Sequence, residues 1–246
     1  MEAKNAARLA ELTGIDVGAA ELVLVLRTGE KSSPSQSFPN TPAHHRRLLQ
    51  KLAACPDCTV CLEATGVYSM DVTIALHDAG IPLMVINPQR SHNFAKVLGK
   101  HSKTDNVDAD TLAQFAQRMP FQPWVRPSDA VLALRAFSRR IHALTDLKTV
   151  SKNQSHALSF IASTPKEVLE DAALSVAQLE KRLATLTAAT LELIHVTPEL
   201  LAPFTLLLGV KGIANTSAIA LLGELLLLPA GLSHAQWVKF AGLDPK

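Results

Sequence analysis

Apolar and polar positions alternate along the first half of the chain with one rhythm and along the second half with another. Ile15 and Val17 lead through Gly18 and Ala19 to the apolar run 22–26, and small residues between two such runs predict a tight hairpin of strands. Residues 31–42 are polar and read as a loop with room for a short edge strand. The segment AHHRRLLQKLAAC then spells a helix. CTVCLEATG predicts a strand ending at Glu63, and VYSMDVTIALHDAG a helix closed by Gly80. IPLMVINPQR reads as a buried strand stopped by Asn87 and Pro88. SHNFAKVLGK is helical, and so is KTDNVDADTLAQFAQRM, where Leu112, Phe115 and Met119 recur at helical spacing. Strands alternating with helices over residues 10–120 predict an α/β domain.

The rhythm changes after PFQPWVRPSD, a corner with three prolines. Residues 129–162 and 166–196 read as two long helices joined at STPKE, where Thr164, Pro165 and Glu167 make a helix start. Leu174, Leu179, Leu183 and Leu186 suit a helical hairpin or coiled coil, either as an oligomer surface or packed on the α/β core. Residues 197–246 are helical again. LLGVKGIANTSAIALLGEL holds a helix, a glycine-bearing turn and a second helix. It is similar to a helix-hairpin-helix, whose turn presents backbone N–H groups to phosphate, although Ala214 stands where a second glycine is usual. A plain helical hairpin is the other reading. The expected organisation is residues 1–124 as an α/β domain, 125–200 as a helical region, and 201–246 as a further helical segment.

Composition narrows the class. A chain of 246 residues suits one large domain or two smaller ones, and 48% apolar with 4% aromatic content, rich in Leu and Ala, favours helix. A net charge of +2 gives no general basic signature, though a local patch can hide in a balanced total. MEAKNAARLAEL is charged from its second residue, unlike an amino-terminal signal. The longest apolar run, 218–232, is broken by Glu224 and Pro229 and is too short to span a bilayer. A cytosolic protein without a membrane partner is expected. The cysteines of CPDCTVC, Cys55, Cys58 and Cys61, have a spacing that metal sites use, but no obvious fourth ligand; structural thiols are expected.

Carboxylates carry the candidate chemistry. Asp16 follows the first apolar strand and Glu63 ends another, and neither suits a strand interior, so two acids are expected at one edge of the sheet. KTDNVDADTL carries three more. Asp105 and Asp108 are i and i+3 on a helix and share a face. Asp110 lies about 200° round from Asp108 and points elsewhere. Asp105 also suits a simple helix cap. Four converging carboxylates repel one another unless a cation sits among them, and Mg²⁺ takes such oxygens while keeping waters for phosphate groups. Arg90, Lys96, Lys100, His101 and Lys103 precede the acid pair and suit a phosphate substrate, or a solvated helix face.

These motifs resemble a known family. GIDVGAAELVLVL, the segment from CLEATGVYSMDV to KTDNVDADTLAQFA, and LLGVKGIANTSAIALLGEL with WVKFAGLDPK are similar to the DEDD transposases of the insertion sequence 110 family and to related Piv-type DNA invertases. EATG and KTDNVDA are the most specific parts. The resemblance implies catalytic, metal-binding acids at Asp16, Glu63, Asp105 and Asp108, with Asp110 outside the motif. It implies a RuvC-like RNase H fold binding Mg²⁺, with Mn²⁺ as substitute, then a coiled-coil middle and the start of a transposase domain. It implies recombination of DNA, at element ends and target, guided by a non-coding bridge RNA in a homo-oligomer within a prokaryotic cytoplasm. Nucleic-acid contacts are expected at Arg90, Lys96, Lys100, Lys103, Lys211 and Gly212. The family's serine nucleophile lies downstream of the FAGLDPK region, so it is expected to be missing from this chain, and neither Ser217 nor Ser233 is promoted in its place.

Two other functions fit the same residues. A RuvC-like structure-selective nuclease or resolvase would hydrolyse DNA with the four acids and no serine. A non-catalytic nucleic-acid-binding remnant would bind without cutting. A sugar-kinase or actin-type ATPase shares GIDVG but needs a second glycine-rich phosphate loop that the chain does not show.

Overall fold

The computed structural model describes residues 11–55, 58–64, 66–99, 105–228 and 231–242. The chain divides into two compact units, Met1–Arg126 and Pro127–Lys246.

In the first unit the apolar runs become strands. β1 (Glu11–Val17) and β2 (Glu21–Thr28) form an antiparallel hairpin whose register pairs Asp16 with Val23, closed by a bond from Gly18 N–H to the Glu21 carbonyl at 2.8 Å. The polar stretch after it, expected as a loop with room for a short edge strand, holds two short strands, β3 (Lys31–Ser32) and β4 (Gln36–Pro39), both paired antiparallel to β2. Their formation depends on that pairing and not on local propensity. α1 (Pro42–Ala53) leads to β5 (Thr59–Glu63), which pairs parallel to β1. A 3-10 turn at Gly66–Ser69 precedes α2 (Met70–Asp78), and β6 (Leu83–Ile86) then pairs parallel to β5. The sheet order is β3-β2-β1-β5-β6, with β4 beside β2. This mixed sheet is the RNase H-like arrangement that the resemblance implied.

Strand alternation sends side chains to two faces. Ile15, Val17, Leu22, Leu24, Val60 and Leu62 pack with Leu48 and Leu52 of α1 and Val72 and Leu76 of α2. The opposite face is covered by α3 (Pro88–Val97) and α4 (Asp105–Arg118), through Cys61, Met84, Ile86, Phe94, Leu112 and Phe115. Asn87 and Pro88, expected to stop β6, also start α3: the Asn87 side chain accepts from Gln89 N–H at 2.7 Å, and proline takes the first helical position. Beyond α4 the proline-rich segment meets the outer edge of β6, where Trp124 N–H donates to the Leu83 carbonyl at 2.8 Å.

The second unit is helical. α5 (Asp129–Ser159) and α6 (Lys166–Val196) form a long hairpin, followed by α7 (Pro198–Leu208), α8 (Asn215–Leu225) and α9 (His234–Phe240). Its core joins Leu134 and Ile141 of α5, Ile194 of α6, Leu200 and Phe204 of α7, and Ile219 and Leu222 of α8. Gly223 lets α8 approach α5 closely, since a Cβ there would stand 2.6 Å from the Ser138 Cβ. Glu224, next in sequence, accepts two bonds from Arg139, at 2.8 and 3.2 Å. Among the described residues no single helix is long and apolar enough to cross a membrane.

Candidate active site

Register brings two acids together. β1 and β5 run parallel with Gly14 opposite Cys61 and Ile15 opposite Leu62. Asp16 and Glu63 each follow the last pair by one residue, so they occupy the same level on adjacent strands. By alternation both lie on the face of Gly14 and Cys61, the one covered by α3 and α4.

Gly14 sets how near α4 comes. A Cβ there would lie 1.8 Å from the Ala109 carbonyl oxygen and 2.6 Å from the Ala113 nitrogen, so helix backbone rests directly on strand backbone. Asp108 immediately precedes Ala109, on the helix whose backbone rests against Gly14 of β1. Asp16, Glu63 and Asp108 are all half-buried. Asp105 opens α4 at its amino end; its side chain lies outside the described residues, as do Lys100, His101 and Lys103.

The third acid of the cluster has a separate task. Asp110 Oδ1 accepts from Ser32 Oγ at 2.5 Å and pairs with Arg27 Nη1 at 3.4 Å, and its Oδ2 accepts from Gln114 at 2.8 Å. Arg27 is only 6% exposed, on the same face of β2, and also donates to Gln117 at 2.9 Å. Gln117 in turn donates to the Gly29 carbonyl at 3.1 Å. Asp110 thus clamps α4 to the far end of β2, which fixes the rotation and height of the helix that carries Asp105 and Asp108.

Two supports were not apparent from sequence. Ser91, on the first turn of α3, donates its hydroxyl to Glu63 Oε2 and so orients that carboxylate. Asn40 donates from Nδ2 to the Gly18 carbonyl at 2.9 Å and to the Tyr68 carbonyl at 3.0 Å, tying together the turns that follow Asp16 and Glu63. Its Oδ1 meets buried His45 Nε2 at 2.8 Å. Because an amide oxygen only accepts, His45 carries its proton on Nε2, and burial lowers its pKa below the usual 6.5.

The basic residues differ among themselves. Arg90 lies 5.3 Å from the Phe115 ring centroid and donates to Gln122 at 3.1 Å, so much of its fork is committed inside the unit. Lys96 is exposed on α3. Lys211 and Gly212 are exposed in the α7–α8 turn, where Gly212 has φ of +94°. The cysteines are free thiols. Cys58 packs with the α1–α2 face of the sheet and Cys61 with the opposite face, so the two cannot share an ion. Burial pushes the Cys61 thiol up to about 12.

Carboxylates are the donors that a hard divalent cation takes. Among the described residues no three acidic, His or Cys side chains stand close enough to hold one.

A profile of transposases, the DEDD type of insertion sequence 110, matches residues 13–160. The pilin gene-inverting protein of Moraxella lacunata is 27% identical over 190 residues, covering 75% of this chain and 56% of that protein. The transposase for insertion sequence element IS1328 of Yersinia enterocolitica is 31% identical over 126 residues, 50% of this chain and 36% of that protein. The matched part of the chain thus spans 56% of the first of these relatives and 36% of the second. A solved structure of Thermus thermophilus RuvC aligns with 46% of this chain and 99% of its own, at 17% identity and a TM-score of 0.35.

Proposed function

The chain belongs to the DEDD transposases of the insertion sequence 110 family, and on that premise we propose that it acts in DNA transposition or site-specific recombination. The reaction class is phosphodiester transfer at Asp16, Glu63, Asp105 and Asp108. The observation that carries the reading is the common level of Asp16 and Glu63 on adjacent parallel strands, beneath a helix seated by Gly14.

The four acids would hold Mg²⁺, or Mn²⁺ in its place. The ions would supply positive charge to the attacking and leaving oxygens of the phosphodiester. The chain's own residues create the geometry. β1 and β5 hold Asp16 and Glu63 level, Ser91 takes one oxygen of Glu63, and the Arg27–Asp110 clamp fixes α4. The substrates are DNA at element ends and target. A bridge RNA as guide rests on family membership, and the exposed Lys211–Gly212 turn offers it, or DNA, backbone N–H groups. Self-association is supported by Leu147, Val150, Phe160, Ile161, Val168 and Leu174, large apolar side chains left exposed on the outer part of α5 and α6 and in the turn between them. No serine of this chain is assigned the nucleophile's role; Ser233 caps α9 by accepting from Gln236 N–H.

The test is thermal unfolding during a Mg²⁺ or Mn²⁺ titration, in the presence of a short DNA duplex, with Asp108→Asn as control. Metal at a hundredfold excess over its Kd should stabilise the wild type by about 2.7 kcal/mol, and the variant should lose most of that gain. A wild type that gains nothing, or a variant that gains as much, refutes the site.

A further inference from the structure

The turn that follows Glu63 holds an aromatic ring in the open. The 3-10 turn Gly66–Ser69 comes after β5 and leads into α2. Gly66 enters it with φ of +67°, a conformation that L side chains rarely adopt. Ser69, at its far end, is buried and donates its hydroxyl to the Gly66 carbonyl at 3.3 Å, and Thr73 Oγ1 donates to the Ser69 carbonyl at 2.6 Å. Asn40 Nδ2 holds the Tyr68 carbonyl between them. Three side chains thus fix the backbone around two residues whose own side chains stay in solvent: Val67 is 66% exposed and Tyr68 54%.

The same bonds set the place of this turn relative to the acids. The Asn40 nitrogen that binds the Tyr68 carbonyl also binds the Gly18 carbonyl, two residues after Asp16. Tyr68 therefore stands beside the turn after Asp16 and shortly after Glu63, at the carboxy ends of β1 and β5, where parallel strands place their sites. Tyr68 is the single tyrosine of the chain, and the segment 64–70 around it carries no charge. An uncharged turn gives a phosphate no cation to pair with; the ring offers a flat apolar face with a hydroxyl at its tip. A protein partner covers about 800 Å² on each side, far more than Val67 and Tyr68 present, whereas one ring matches one base. In a paired duplex both faces of each base are covered by its neighbours, so an exposed ring stacks on a base that has left the stack. Such stacking tolerates any sequence, because every base has a π face.

We propose that Tyr68 is the stacking platform for an unpaired base of the DNA strand held at the acidic site. The inference rests on the reading of the chain as a DNA recombination protein and names the form of DNA that the site takes. Tyr68 is a positioning residue: it holds the base while the acids face the phosphodiester. Recombination moves strands from one duplex to another, and this platform favours DNA already opened beside the reacting phosphate over a closed duplex.

The test uses the full chain with Mg²⁺ and two end-labelled DNA duplexes of one sequence, fully paired or with a single unpaired 2-aminopurine. Binding is read by fluorescence anisotropy, and stacking by the 2-aminopurine emission, which falls when the base stacks. The wild type should bind the bulged duplex about tenfold tighter than the paired one and quench its emission. Tyr68→Phe keeps the ring and should keep both effects. Tyr68→Ala and Tyr68→Leu should lose both, with binding of the paired duplex and the urea midpoint unchanged, since the side chain is exposed; the leucine keeps bulk on the turn while removing the ring. A wild type that binds both duplexes equally, or alanine and leucine variants that keep the preference, overturns the platform and leaves the acidic site standing. Loss of the preference in Tyr68→Phe makes the hydroxyl the contact, and equal weakening of both duplexes in the alanine and leucine variants makes the residue a general one; either result overturns the proposal. A wild type that binds neither duplex overturns the recombination reading as well.

Discussion

Gly14→Ala is the sharpest perturbation the fold offers. The new methyl carbon would begin 1.8 Å from the Ala109 carbonyl oxygen, against ordinary contact at 3.4 Å, so α4 must retreat by about 1.6 Å along that line. Neither partner is a flexible side-chain end; both are backbone held in regular structure. Forced overpacking of this kind costs about 3 kcal/mol. The helix cannot retreat freely, because Asp110 ties it to Arg27 and Ser32. Trp124 is the single tryptophan of the first unit, so urea unfolding in a Trp237→Phe background reports that unit by fluorescence. With a slope of about 2–3 kcal/mol per molar, the midpoint should fall by about 1 M. Asp108 moves with the helix, so metal-dependent stabilisation should shrink at the same time. A midpoint within about 0.2 M of wild type, with metal response intact, would refute the claim that Gly14 sets the seat of α4.

Three further outcomes are expected. Arg27→Ala should destabilise the first unit by about 3 kcal/mol, whereas Arg27→Met with Asp110→Leu should recover most of that loss in the same unfolding assay. Cys58 and Cys61 should resist alkylation at pH 8 in the folded protein, because burial raises both thiols; mass spectrometry should show labelling only at the rate of unfolding. Glu224 is held below its ordinary value of 4.5 by its bond with Arg139, so its stabilising effect is present above that value and is lost as pH falls through the lower folded value. Acid unfolding of Glu224→Gln should lack this component, and identical acid profiles for variant and wild type would rule it out.

Asp16 and Glu63 were legible because each breaks an apolar run at its end, where a lone carboxylate has no business inside a strand. Asp110 was legible only by subtraction: helical geometry turns it away from Asp108, but its partner Arg27 lies 83 residues earlier. Such a pairing is decided by tertiary packing. Asn87 and Pro88 show that one pair of residues can end a strand and begin a helix, so α3 begins at Pro88, ahead of the helical pattern that starts at Ser91. Gly14 reads in sequence as a weak point in a strand and in space as the place where a helix rests. Ser91 carried no signal, since a serine on the first turn of a helix is commonplace and only the fold brings Glu63 beside it. The polar stretch 31–42 leaves room for one edge strand, but its division into β3 and β4 depends on their pairing with β2.

The bond from Trp124 to Leu83 bears on solubility as much as on architecture. A terminal strand with a free ladder is a template for runaway pairing between molecules. Here the outermost strand β6 has its Leu83 carbonyl taken, and the segment that takes it contains Pro120, Pro123 and Pro127, which have no N–H to pass the ladder on. At the other margin two strands of two and four residues, β3 and β4, share β2. Each margin of the sheet is thus short or capped. Copies of this chain at high concentration would be steered away from joining by strand addition.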